Sequence, residues 1–317
     1  MTLKKNIHNY IKKIPYLQQI MSERDNRKTE QDNCLNSSVE NCYNHFPPGH
    51  FYSPIPSLDD IIKNEKRIWN KKDLNLPGID LNIEEQLNLL DEFDGFYAEM
   101  PFTENKTNQL RYCFQNNAFN HSDAIFLYFM IRYAKPKNII EVGSGFSSCV
   151  SLDTNELFFN NSIKFQFIEP YPQLLNSLIK EQDHTAIKIH ESNLQDVPID
   201  LFKNLEPNDI LFIDSTHVSK INSDVNYIIH EILPVLSKGV YIHFHDISFT
   251  FEYPKEWIFE GRFWNEQYIL RAFLQYNSQF KIVLFNTHLA YFYEEKLMQK
   301  FPLIFKNTGG SIWIKKI

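Results

Sequence analysis

From residue 138 onward the chain alternates between short apolar runs and longer stretches whose apolar residues recur at helical spacing. The runs 138–142, 164–168, 186–190, 209–213 and 239–245 read as strands. Between them, 147–159, 173–182, 198–205 and 223–236 are long enough for helices. Strands separated by helix-length segments imply right-handed βαβ crossovers, hence a parallel sheet with helices on both faces. The fold class is α/β. Before the first strand, Ser122 is positioned to cap a helix in which Ile125, Phe126, Phe129, Met130 and Tyr133 recur at helical spacing and which stops at Pro136. The tail breaks the rhythm, with a helix over 266–276, a strand over 280–285, a helix over 294–300 and a last strand over 311–314 after Gly309 and Gly310. Ending on a strand after a glycine turn suits an antiparallel final pair.

The N-terminal third is patterned differently. Residues 1–45 are polar and weakly periodic, which predicts a flexible arm. Residues 46–110 form an irregular extension punctuated by Pro47, Pro48, Pro54 and Pro56, with one helix predicted over 83–93. The organised domain spans 111–317.

Composition narrows the class of partner. Of 317 residues, 43% are hydrophobic and 22% charged, so global disorder and fibrous structure are excluded. The net charge of −7 argues against a nucleic-acid backbone as partner. No run reaches the length of a membrane span, and the basic N-terminus lacks the apolar core of a secretory signal, so a cytoplasmic location is expected. Cys34, Cys42, Cys113 and Cys149 are too sparse for a disulfide scaffold and read as free thiols. Only nine glycines occur, so each pair must sit where backbone geometry or close ligand approach requires it.

Ligands of open parallel sheets bind at the carboxyl ends of the strands, near the point where strand order reverses. The first strand ends at Glu141 and Val142 and runs into Gly143, Ser144, Gly145 and Ser147, a Gly pair opening a helix. The pair suits close approach of a ligand to the backbone; a plain βα turn is the alternative. The full GxGxxG dinucleotide fingerprint is not met, because Ser148 occupies its sixth position. Glu169 ends the second strand, where a carboxylate can accept both hydroxyls of a ribose or simply sit in an exposed loop. Asn193 follows the third strand and offers an amide to an adenine edge.

The fourth strand delivers Asp214 and, three positions on, His217, an acid and a base within reach of one point. The bland alternative is a turn-capping Asp beside a solvated His. The fifth strand ends His243, Phe244, His245, Asp246. Asp214 and Asp246, on neighbouring strands, can jointly hold a hard divalent cation such as Mg²⁺, with His217 or His245 completing the shell. A core His243 beside a capping Asp246 without metal fits equally. The aromatic stretch 248–264 would overhang this edge, with Trp257, Phe263 and Trp264 available either to stack on an acceptor ring or to pack into the core. Arg111 and Tyr112 are placed to close over the ligand from the other side.

The segments EVGSGFSS (141–148), Glu169 in IEPYP, DSTH (214–217) and HFHD (243–246) resemble the class I S-adenosylmethionine-dependent methyltransferases, more narrowly the bacterial methyltransferase family 24. FYSPIPS and the stretch 249–264 are similar to the same subgroup. The resemblance covers most of 111–317. It implies a Rossmann-like, doubly wound seven-stranded sheet whose final strand pair is antiparallel. It also implies that Glu141, Gly143, Ser144, Gly145 and Ser147 lie along the methionine part of S-adenosylmethionine, that Glu169 holds the ribose, and that Asn193 replaces the commoner Asp at the adenine. In related metal-dependent sugar O-methyltransferases, an Asp and a His spaced like Asp214 and His217 serve as metal ligand and general base. Here His245 precedes Asp246 where those enzymes carry an acid.

The expected activity is O-methylation of a small-molecule or glycan hydroxyl by in-line transfer (EC 2.1.1.-), with His217 as base and Asp214 orienting it or anchoring a cation. A homo-oligomer is compatible with the chain. A nicotinamide oxidoreductase and a non-catalytic nucleotide-binding protein on the same fold are the competing readings.

Overall fold

The computed structural model describes residues 45–70 and 76–317. The expected arm, with Cys34 and Cys42, lies outside the described residues. Contacts divide the chain into two compact units, Met1–Ile68 and Trp69–Ile317. In the first, the FYSPIPS segment leads into a helix, Leu58–Lys63, whose N-cap Ser57 accepts from the Asp60 amide. Everything below concerns the second unit.

Its centre is a seven-stranded sheet: β1 Asn138–Val142, β2 Lys164–Ile168, β3 Lys188–His190, β4 Ile210–Ile213, β5 Tyr241–His245, β6 Phe280–Phe285 and β7 Ser311–Lys316. The spatial order is β3-β2-β1-β4-β5-β7-β6. The first five strands are parallel, and β7 runs antiparallel between β5 and β6. Strand order reverses between β1 and β4, so the carboxyl ends of these two strands form the switch point.

Alternation along each strand feeds two apolar layers. Ile139, Ile210, Phe212 and Trp313 face a layer containing Phe126, Phe129 and Phe167. Ile140, Leu211, Ile213, Ile242 and Phe244 face another, containing Ile228, Ile232 and Leu270. Burial on both faces is why these strands are apolar runs rather than alternating ones. Glu141, His243 and His245 fall on the first face by the same period of two.

Local chemistry moves several boundaries. The helix His121–Ala134 begins at an Asn120 cap, not at Ser122. Ser122 lies buried inside the first turn, where its amide donates to the Asn307 carbonyl instead of requiring a capped end. The segment expected to form a single helix over 223–236 contains a π stretch, Ile228–Ile232, that ends two residues before Pro234. Proline lacks the N–H for its helical bond, and the wider turn absorbs the gap. The helix predicted over 173–182 stops at Leu178 and restarts at Asp183–Ala186, because the Asp183 carboxylate takes the Lys180 amide at 2.7 Å. Asn286–Phe292 is a further helix. Among the described residues no helix is long and apolar enough to cross a membrane.

Candidate active site

Two adjoining cavities open at the carboxyl edge of the sheet and share Asp214, Ser215 and Thr216. The first, about 350 Å³, is lined by the ends of β1, β2 and β4 and by the loop after β3, and includes Gly143, Glu169, Asn193 and Asp214. Gly143 adopts φ +77° and its amide donates to the Ile168 carbonyl at 3.0 Å. The Asp214 amide donates to the Val142 carbonyl at 2.8 Å, which draws the two loops together. Glu169 accepts from the Ser144 amide at 3.2 Å and from the Tyr171 amide at 2.8 Å, one on each oxygen. A carboxylate has about four acceptor positions, so two remain for hydroxyl donors. Asn193 donates to Asp196 at 3.3 Å and faces the same space.

Glu141, Ser144, Gly145 and Ser147 build the wall behind this cavity rather than its lining. Glu141 Oε1 accepts from the hydroxyls of Ser147 at 2.6 Å and Ser148 at 2.8 Å, while the Gly145 amide donates to Ser148 at 3.1 Å. Glu141 Oε2 is buried without a partner. Burial outweighs the two serine bonds and pushes the Glu141 carboxyl up to about 8.

The second cavity, about 520 Å³, brings together Asp214, His217, His245 and Asp246 with Asp123 and the aromatic overhang. His217 Nε2 lies 3.3 Å from Asp214 Oδ1 and 3.5 Å from Asp246 Oδ2. Ligand atoms of these three residues all lie within 4.8 Å of one another, a spacing open to a cation. His245 approaches the other oxygen of Asp246 at 3.5 Å, so Asp246 sits between two imidazoles. Burial opposes the charged form of His217, but bonds to Asp214 and Glu266 carry it well above the ordinary imidazole value. Burial likewise raises Asp214, and the nearby His245 and His217 outweigh it to hold the carboxyl below the usual range. His217 is therefore no solvated loop residue.

His243 takes the structural role. It is fully buried and stacks on Phe212 at 4.1 Å with both ring nitrogens unpartnered, and burial drives it well below the ordinary value.

Of the overhang residues, Trp257 and Trp264 line the second cavity and Phe263 does not. Arg262 joins them, its guanidinium 5.0 Å from the Trp257 ring and 5.6 Å from the Trp264 ring. Arg111 and Tyr112 do not close over either cavity. The Arg111 guanidinium is buried against Asp153 at 2.8 Å, Glu156 at 2.7 Å and Asp183 at 2.5 Å, and the Tyr112 hydroxyl donates to the Phe119 carbonyl at 2.7 Å. An Arg beside three acids is fully engaged.

Two participants escaped the sequence reading. Asp123, in the first turn of the helix His121–Ala134, accepts from Asn286 at 2.9 Å and lines the second cavity. Gly309 makes room for it, since a Cβ there would fall 2.0 Å from Asp123 Oδ2. Glu266 bonds His217 Nδ1 at 2.7 Å. The only advance sign of either was position, each lying at the start of a helix.

A sequence model described as a methyltransferase domain matches residues 140–247. An uncharacterized protein of Archaeoglobus fulgidus is 36% identical over 168 residues, covering 51% of this chain and 75% of that protein. Among solved structures, the SAH-bound methyltransferase PaMTH1 of Podospora anserina aligns over 84% of this chain and 99% of its own at 14% identity and a TM-score of 0.42. The O-methyltransferase TomG of Streptomyces achromogenes, in complex with SAM, aligns over 82% and 96% at 12% identity and a TM-score of 0.42.

Proposed function

The chain belongs to the methyltransferase-domain family, of the class I, family 24 type, and from that premise we propose that it methylates a hydroxyl of a small molecule or glycan using S-adenosylmethionine. The observation that carries this reading is the adjacency of the two cavities across Asp214, Ser215 and Thr216. One has the features of a nucleoside site and the other those of an acceptor site with titratable groups.

The residues present fit the cofactor. Gly143, without a Cβ, lines the first cavity at the switch point, Glu169 keeps free acceptor positions for ribose hydroxyls, and Asn193 offers an amide to the base. When bound, S-adenosylmethionine supplies a sulfonium methyl as the electrophile. The chain must then align the acceptor oxygen and remove its proton. His217, turned toward Asp214 and Asp246 in the second cavity, is the base in this reading, with Asp214 orienting it; because those acids hold its second proton, the ring must first release that proton, and turnover should rise with pH. Trp257, Trp264 and Arg262 form the acceptor wall. Mg²⁺ would be held by Asp214 and Asp246, where it would acidify the acceptor hydroxyl. Ser148, which takes the Gly145 amide and donates to Glu141, stands where a nicotinamide fingerprint needs glycine, which favours the methyl donor.

Calorimetry with S-adenosylhomocysteine, with and without Mg²⁺, and with NAD tests the cofactor half. Binding of NAD alone would overturn it. For the acceptor half, His217→Ala should lower turnover by about 10²-fold or more with product affinity kept. Undiminished turnover removes His217 from the role.

A further inference from the structure

His217 is held from three directions by one short segment. The amides of Asn265 and Glu266 both donate to its carbonyl oxygen at 3.1 Å. The Trp264 ring lies over the imidazole with centroids 4.4 Å apart and planes tilted by 38°. Glu266 Oε2 meets Nδ1 at 2.7 Å. These holds fix a residue whose backbone sits at φ +60°, in the left-handed region that few residues other than Gly occupy, His being among those that do.

Glu266 is itself an expensive residue. It is 1% exposed, and its second oxygen, Oε1, is buried with no partner. Burial of a carboxylate costs free energy unless it is paired and fully bonded. As the first residue of the helix Glu266–Leu274 it gains from the helix dipole, but an outward-facing carboxylate would gain the same. What the inward orientation adds is the bond to His217.

We propose that Glu266 is the positioning residue of this site, engaging Nδ1 of His217 so that Nε2 is the nitrogen presented to Asp214 and Asp246. An ionised carboxylate only accepts, so Nδ1 carries the hydrogen. Nε2 is then the nitrogen turned outward. That nitrogen lies 3.3 Å from Asp214 and 3.5 Å from Asp246, at the mouth of the acceptor cavity. A carboxylate behind an imidazole is the usual device for fixing both tautomer and ring rotation. The inference rests on the functional reading above only for the use made of Nε2; the Glu266–His217 pairing stands without it.

The test uses the full 317-residue chain labelled with ¹⁵N-histidine, His217 being assigned by its disappearance in His217→Gln. Long-range ¹H–¹⁵N correlation at a pH where the ring is neutral should show Nδ1 protonated and Nε2 unprotonated. In Glu266→Ala the pattern should move to Nε2–H or to an average of the two tautomers. S-Adenosylhomocysteine affinity should stay within about 2-fold of the parent, as for separate sites. Glu266→Asp keeps the charge at the helix start but withdraws it by one methylene. It should lose the Nδ1–H pattern too, and it serves if the alanine variant fails to fold. Finding Nε2–H in the parent protein, or Nδ1–H unchanged in both variants, overturns the assignment. Full turnover in His217→Ala would instead remove the functional reading and leave the Glu266 assignment to the spectra.

Discussion

A Cβ built on Gly143 would lie 1.8 Å from the carbonyl oxygen of Asp214. The loops that end β1 and β4 therefore pass so closely that no side chain fits between them, and Gly143 also holds φ +77°. Gly143→Ala must push the Asp214 backbone away and adopt a strained dihedral. The expected cost is at least about 2 kcal/mol of stability together with loss of S-adenosylhomocysteine binding. Urea denaturation and calorimetry on the same variant read both, and a stable variant with unchanged affinity would contradict the close approach.

The Arg111 cluster makes a prediction about stability alone. Its guanidinium ties Asp153 and Asp183, both nearly inaccessible, to the segment before the helix His121–Ala134. Arg111→Ala would leave two buried carboxylates without their cation and should cost about 3–5 kcal/mol. Because the cluster lies outside both cavities, cofactor affinity of the folded fraction should be unchanged. A marginal loss of stability would show that the acids are relieved by other partners.

Glu141 sets a pH dependence. Folded, it keeps its proton up to about 8; unfolded, it ionises near the ordinary value of 4.5. Between these values the folded state binds more protons, so its stability contribution is full at lower pH and is lost as pH rises through the window. Glu141→Gln preserves the shape without the titration. Relative to this variant, the parent protein should lose melting temperature from pH 5 to 8, and parallel curves would mean that Glu141 ionises normally.

The wall formed by Trp257, Arg262 and Trp264 should act on acceptor affinity only. Trp257→Ala removes a ring from the second cavity and leaves the first intact. Loss of one aromatic face should raise the acceptor KM by roughly 10-fold, with S-adenosylhomocysteine affinity kept. An unchanged KM would assign Trp257 to packing against Tyr253 and Trp264 alone.

What the sequence determined by itself is local. The runs 138–142, 164–168 and 280–285 coincide with β1, β2 and β6 because each is a short, mainly apolar run that stops where glycine, acid or a helix begins. The same logic placed Gly143, Glu169, Asn193 and Asp214 at one edge, since parallel strands joined by helices all end on the same side. Tertiary structure decided what converges there. Strand order puts β4 beside β5, so Asp214 and Asp246 meet across a separation of 32 residues, and a helix starting 49 residues after His217 supplies the acid behind its ring. All three histidines are buried, and what separates them is position: His243 sits mid-strand in β5 against Phe212, whereas His245 at the strand end and His217 in the loop after β4 reach the second cavity. Arg111 was legible as a charge and not as a partner, because the three acids that absorb it come from two other helices and are brought to it only by packing. Periodicity reports which side of an element is buried; which side chains then share a point is fixed by contacts between distant segments.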